Sequence, residues 1–151
     1  MTADERAARH LHFDLRGDMQ ALMQKVRLVE AFLVETGCSA ASALQMAVVA
    51  EEILANIVRD AWPGREPGHC SVDVTAVAGP DAVDVSLRTE DDGIPFDPTA
   101  AETPDLEASL EDRPIGGVGI LLISGMTDAQ SYQRRDGHNV FEVRKRCPTL
   151  T

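Results

Sequence analysis

The sequence predicts an α+β fold built as a two-layer sandwich. Alternating polar and apolar residues give two hairpin patterns, at 72–87 and 128–146. Two stretches with apolar residues at helical spacing, 19–36 and 40–62, lie between a first short strand and the first hairpin. Sequential hairpins with helices gathered elsewhere in the chain are typical of a sheet covered by a layer of helices.

Composition narrows the class of protein further. The 151 residues suit a single domain spanning 1–151, and 44% apolar with 26% charged residues is ordinary for a globular protein. The net charge of −11 argues against a surface for nucleic acid or anionic membrane. We find no apolar run that looks long enough to span a bilayer, and the polar start MTADERAARH is unlike a signal peptide. We therefore expect a cytoplasmic protein in which residues 1–9 are flexible.

The first strand and the two long helices have recognisable ends. Residues 10–15 alternate polar and apolar side chains, which predicts a short strand at a sheet edge. The residues that cap or stop the helices are Asp18 and Gly37 for helix 19–36, and Ser39, Pro63 and Gly64 for helix 40–62.

The remaining strands follow the same period of two. They are 72–78, 83–87, 128–134 and 139–146. The dipeptide Asp136-Gly137 is a tight-turn signal between the last two. Between the hairpins, an acidic loop with several prolines leads into an apolar helix within 115–126.

One helix carries an unusual polar stripe. Glu52, Asn56 and Asp60 are spaced i, i+4 and i+8, so they follow one line along a helix that is otherwise mostly apolar. A solvent-facing ridge would explain this stripe, and so would a ligand held over the helix. The helix alone favours the ridge.

Two further motifs have both structural and functional interpretations. Asp91-Asp92-Gly93 follows a strand. The motif is either a simple turn or part of a binding site. In the second case a carboxylate accepts a hydrogen bond from an exocyclic amine, and Gly93 allows a flat ring to approach. The glycine run at 116–119 precedes a helix; it is either tight packing or an anion site of backbone N–H groups. Neither motif is specific by itself.

The order of the three motifs resembles the nucleotide-binding domain of the GHKL ATPases and kinases. A helix with E-x-x-x-N comes first, then a hairpin ending in D-x-G, a loop, and G-G-x-G opening a helix. The continuations DDGIPFDP and DGHNVFEVRKR are similar to the small serine/threonine kinases that act as anti-sigma factors. The resemblance covers residues 10–146 and implies a mixed, mostly antiparallel sheet with helices on one face.

The resemblance implies a role for each matching residue. Glu52 takes the place of the catalytic base, and Asn56 that of the Mg²⁺ ligand beside ATP. Asp91 takes the place of the adenine-binding carboxylate, with Gly93 as its partner glycine. An amide oxygen is a ligand type that Mg²⁺ accepts, and a carboxylate one turn away can take a proton from a hydroxyl.

The resemblance also assigns the segment after the hairpin. Residues 97–115 become the ATP lid, whose closure excludes water. We further infer that Arg113, within this segment, is the cation that meets the terminal phosphate. The residues of the implied phosphate loop are Gly116, Gly117, Val118 and Gly119.

Asp60 departs from the family pattern, because many of these kinases have His there. We count it as part of the nucleotide site with two open outcomes. The carboxylate either helps to coordinate the metal or weakens phosphate binding by repulsion.

Three hypotheses for function follow. The first is an ATP-dependent serine/threonine kinase that phosphorylates an anti-anti-sigma protein of the STAS type and/or sequesters a sigma factor. The second is a binding module that uses ATP to capture a regulator without phosphotransfer. The third is a domain whose motifs are all structural. The resemblance further implies a homodimer, and we expect neither nucleic acid nor membrane as a partner.

Overall fold

The computed structural model describes residues 8–100 and 117–149, without the side chains of Ala100 and of residues 117–121. Its five strands form one sheet in the order β1-β2-β3-β5-β4. The strands are β1 (Ala8–Arg16), β2 (His69–Ala78), β3 (Ala82–Asp91), β4 (Ala129–Arg135) and β5 (His138–Pro148). The predicted α+β sandwich is confirmed, with one correction. All four pairings between described strands are antiparallel, so this sheet is not mixed.

The first strand is longer than predicted. Ala8 pairs with Val77 and Arg9 with Ala76, so these two residues belong to the edge strand and not to a flexible segment. The polar and small residues of this end gave no alternation signal, because both faces of an edge strand tip are exposed. Residues 1–7 lie outside the described part of the chain.

The helices begin where their caps predict. The Asp18 carboxylate accepts from Gln20 N at 2.9 Å at the start of α1 (Met19–Glu35), and the Ser39 hydroxyl accepts from Ser42 N at 3.1 Å at the start of α2 (Ala40–Asp60). Gly37 has a φ of 106°, the left-handed conformation that glycine tolerates after a helix. The third helix, α3, spans Gly117–Met126.

The second helix ends two residues earlier than predicted. Ala61 is its C-cap, and Trp62 is a buried residue of the following bend. By length and composition alone, α2 is apolar enough to cross a membrane, so the expectation that no run is long enough was wrong. In this fold α2 is a core helix: Ala50 and Leu54 are fully buried, and both belong to the main hydrophobic cluster.

The core lies between the helices and one face of the sheet. On β2 and β3 the inward side chains alternate with half-buried or exposed ones, as expected for a half-covered sheet. The inward row of β3 runs from Val83 to Thr89 and ends at the buried Asp91. Asp91 faces Asn139 of β5 in the strand register. The sheet thus brings a carboxylate and an amide together at the end of its buried face.

Candidate functional site

The polar stripe of α2 is not a uniform solvent ridge. Asn56 is only 9% exposed, whereas Glu52 is half-buried and Asp60 is exposed. Asn56 therefore carries a polar group into an apolar setting between Ile53 and Ile57, and such a group needs a partner. The partner present is Arg59, whose Nη2 donates to Asn56 Oδ1 at 2.7 Å, so the stripe at Asn56 is not a plain solvent-facing ridge.

Asp91 is the buried carboxylate of the site. Its Oδ1 accepts from Gly93 N at 2.9 Å and from Asn139 Nδ2 at 3.0 Å. No hydrogen bond from the described residues reaches its Oδ2. Burial raises the pKa of Asp91 above its ordinary value, and the bonds from Asn139 and Gly93 offset part of that shift. The free oxygen of this carboxylate is suited to accept from an amine.

Asn139 organises the polar groups around Asp91, and the sequence analysis missed it. Its Nδ2 also donates to Ile94 O at 2.8 Å, and its Oδ1 accepts from Phe96 N at 3.1 Å and from the Tyr132 hydroxyl at 2.6 Å. The side chain thereby fixes the segment that follows Asp91. The G-x-N pattern of the closing strand contained this residue, but the motif alone does not say which side chains the asparagine meets.

Gly93 allows two backbones to approach closely. A Cβ on Gly93 would lie 2.6 Å from the Ala61 carbonyl oxygen and 2.5 Å from the Ala61 Cβ. The backbone of Ile94 also donates to that carbonyl at 2.9 Å. Gly93 therefore lets the Asp91 turn dock on the C-terminal end of α2. This reason differs from the flat-ring contact inferred from the sequence, which nothing in the described residues tests.

Asp92 fixes the other side of the same turn. Its Oδ1 accepts from Trp62 Nε1 at 2.8 Å and from His69 N at 3.1 Å. Desolvation acts to raise the pKa of Asp92, but these hydrogen bonds outweigh it and the pKa is lowered. The two adjacent carboxylates thus have different environments: Asp92 ties the turn to α2 and β2, and Asp91 faces inward.

A cavity lies between α2, the Asp91 turn and α3. Its volume is about 70 Å³, and part of it is open to solvent. Apolar walls with a few polar groups are typical of sites for small molecules. The lining residues are Ile53, Asn56, Ile57, Asp60, Ala61, Thr89, Asp91, Ile94, Phe96, Pro98, Ile123, Asn139 and Phe141.

The cavity includes some of the predicted site residues and leaves others apart. Asn56, Asp60 and Asp91 line it, and Glu52, one helical turn before Asn56, does not. Arg113, Gly116 and most of the predicted lid lie outside the described residues. The residues of the glycine run that are described, Gly117, Val118 and Gly119, form the first turn of α3, and Ile123 of that helix lines the cavity.

The oxygen groups at the end of α2 suit a hard cation. Arg59 Nη2 lies 2.7 Å from Asn56 Oδ1 and 3.0 Å from Asp60 Oδ2, so one positive group already bridges an amide oxygen and a carboxylate. Mg²⁺ prefers such oxygen ligands and completes its shell with water or phosphate. The donor set therefore fits the ion that the sequence resemblance implied.

The two-layer α+β fold, with a helix stripe and a buried Asp–Gly turn beside one cavity, has the arrangement that the sequence resemblance implied. A family model described as the histidine kinase-like ATPase domain matches residues 16–145. The chain belongs to this family, and the GHKL resemblance proposed from the sequence is confirmed.

One curated protein and one solved structure are similar to this chain. The chain is 39% identical over 94 residues to the serine/threonine-protein kinase BtrW of Bordetella bronchiseptica, and this match covers 62% of the chain and 63% of BtrW. A solved structure of the RsbU and RsbW domains of Rv1364c from Mycobacterium tuberculosis has a TM-score of 0.61 at 14% identity. That likeness covers 93% of this chain but 33% of the other, and it shows the shared fold.

Proposed function

We propose that this protein is an ATP-binding regulatory serine/threonine kinase of a partner-switching system. It phosphorylates a STAS-type anti-anti-sigma protein, sequesters a sigma factor, or does both. The observation that carries the proposal is the buried Asp91, which faces the same cavity as Asn56 and is held by Asn139 at 3.0 Å. A carboxylate for adenine and an amide for a metal on one cavity are the two fixed points that ATP needs.

In this proposal Asp91 accepts from the exocyclic amine of adenine, and the apolar side chains of Ile94 and Phe141 flank the ring. Asn56 holds Mg²⁺ through Oδ1. The metal ion supplies positive charge that neutralises the phosphates and the charge that develops during phosphoryl transfer. Selectivity for adenine follows from Asp91, because a buried acceptor left without a donor is costly.

Glu52 acts as the general base in the same proposal. It takes the proton of a serine or threonine hydroxyl on the partner as that oxygen attacks the terminal phosphorus of ATP; the bond to the bridging oxygen breaks and ADP leaves. The phosphates rest on backbone N–H groups of the segment from Gly116 to Gly119. Residues 97–115 close as a lid, and Arg113 meets the terminal phosphate. The chain acts in the cytoplasm as one domain. It also forms a homodimer, and light scattering tests this oligomeric state.

The deciding experiment measures phosphotransfer from ATP and Mg²⁺ to a STAS-type protein from the same genome. Glu52→Gln should abolish the transfer while leaving ATP binding intact. Glu51→Gln is the matched control, since it changes the neighbouring carboxylate, also half-buried, to the same amide. Equal transfer by the parent protein and Glu52→Gln would remove the catalytic role of Glu52.

A second candidate function is an ATP-dependent binding module without phosphotransfer. It is favoured by one observation: Asn56 and Asp91 line the cavity, but Glu52 does not. In that case ATP should promote tight capture of a sigma factor or another regulator, and Glu52→Gln should leave the capture unchanged. Absence of any phosphorylated partner, together with ATP-dependent capture, would select this alternative.

A further inference from the structure

A positive side chain at the end of α2 lies against the amide oxygen of Asn56. Arg59 Nη2 contacts the Asn56 amide oxygen at 2.7 Å and the Asp60 carboxylate at 3.0 Å. A single nitrogen thus lies between two oxygen groups, both on residues that line the cavity.

The bonds of Arg59 to its two partners are unequal. Asp60 also receives Arg59 Nε, at 3.2 Å to Oδ1 and 3.1 Å to Oδ2, whereas Asn56 receives the single Nη2 bond. The side chains of Arg59 and Asp60 are 46% and 56% exposed. The guanidinium can therefore leave Asn56 by moving toward solvent while it keeps Asp60, at the loss of one hydrogen bond.

We infer that Arg59 is a tethered competitor of the metal ion at Asn56. The inference rests on the part of the proposed function in which Asn56 Oδ1 is a metal ligand. A guanidinium and a divalent cation that share one oxygen repel each other at close range. A group attached three residues away has an effective concentration of about a millimolar or more, so it competes with free metal without any partner protein.

The competition has a second consequence. While no metal is bound, Arg59 satisfies a buried amide oxygen that would otherwise lack a partner. It also pairs with Asp60, whose carboxylate the sequence left as either a ligand or a source of repulsion. Metal binding then exchanges the Arg59 guanidinium for the metal ion at Asn56. The negative charge of Asp60 has a positive neighbour both before and after this exchange.

Mn²⁺ added to the protein alone tests the inference, because Mn²⁺ accepts the same oxygen ligands and broadens nearby NMR signals. The measured quantity is the Mn²⁺ concentration at which the side-chain amide signal of Asn56 has lost half of its intensity. Arg59→Gln should lower this concentration roughly fivefold, the scale of one exposed ion pair. Arg27→Gln, on the exposed part of α1, removes the same charge and should leave it unchanged.

Each other outcome overturns the inference. An unchanged or higher Mn²⁺ midpoint in Arg59→Gln means that Arg59 does not compete. An equal decrease in Arg27→Gln means that only net charge matters. Absence of broadening at Asn56 in both the parent protein and Arg59→Gln means that no metal binds there. Binding of a fluorescent ATP analogue with Mg²⁺ is measured separately; its failure alongside the expected Mn²⁺ result would remove the kinase proposal and leave the competition standing.

Discussion

Asn139 donates to Asp91 across the β3–β5 boundary, with 3.0 Å between Nδ2 and Oδ1. The two residues face each other in the register of the sheet. The same asparagine accepts from Tyr132 on β4, so Asn139 links the buried carboxylate of β3 to a third strand. The orientation of Asp91 toward the cavity therefore depends on the closing strand, which is far from it in sequence.

We expect Asn139→Leu to weaken both the fold and nucleotide binding. Asp91 would lose a donor, and the Phe96 N–H and the Tyr132 hydroxyl would lose their acceptor. The bond to Asp91 is buried, and leaving a buried group unpaired costs about 1–3 kcal/mol of unfolding free energy, whereas the half-buried bonds from Phe96 and Tyr132 contribute less. Chemical denaturation measures this loss, and ATP titration measures the binding. Gln133→Leu, at an exposed position on β4, is the control, and a similar loss in that variant would contradict the role of Asn139.

Asp91→Asn should keep the fold and lose the preference for ATP over GTP. The pKa of Asp91 is raised mainly by burial, so the folded protein binds the proton more tightly than the unfolded chain does. Its contribution to stability is therefore largest at low pH and falls as pH rises through the raised pKa. The stability of Asp91→Asn relative to the parent protein should increase across that pH window. Equal ATP and GTP affinity in the parent protein would count against the adenine role.

Gly93→Ala should destabilise the protein because the added methyl group meets the Ala61 backbone. The cost expected for such overpacking is about 1–3 kcal/mol, measured by denaturant unfolding. Gly125→Ala is a matched control: a Cβ there meets nothing within 4 Å, and the residue lies in α3. Alanine in a helix should stabilise by about 0.5–1 kcal/mol relative to glycine. If both variants are equally stable, the contact with Ala61 has no energetic importance.

The open face of the sheet provides a prediction about pH. Asp73 Oδ1 lies 2.8 Å from His12 Nδ1 and raises the pKa of His12, first through this hydrogen bond and then through its charge. NMR titration of Asp73→Asn should show a lower pKa for His12. Asp14→Asn should lower it less, because Asp14 is 3.6 Å away. The contribution of His12 to stability is present at low pH and is lost as pH rises through its raised pKa.

Sequence patterns that depend on residues close together in the chain predicted the secondary-structure elements well. Caps at Asp18 and Ser39, the glycine at 37 and the alternation on both hairpins all depend on neighbours within a few residues. The end of α2 was misplaced by two residues, because Ala61 and Trp62 are apolar like the helix before them, and only contacts with Gly93 and Asp92 show why the chain turns there.

Local spacing determined the element types, and the resemblance carried by the order of the motifs indicated the family. The resemblance also grouped Asn56, Asp60 and Asp91, which line one cavity in the structure. Tertiary structure decided how those residues are partnered. Asn139 and Asp91 are separated by 48 positions and meet only through strand register, and Gly93 is required by the carbonyl of Ala61. At the end of α2, Arg59 contacts Asn56, a contact that spacing allows but that only the folded side chains select.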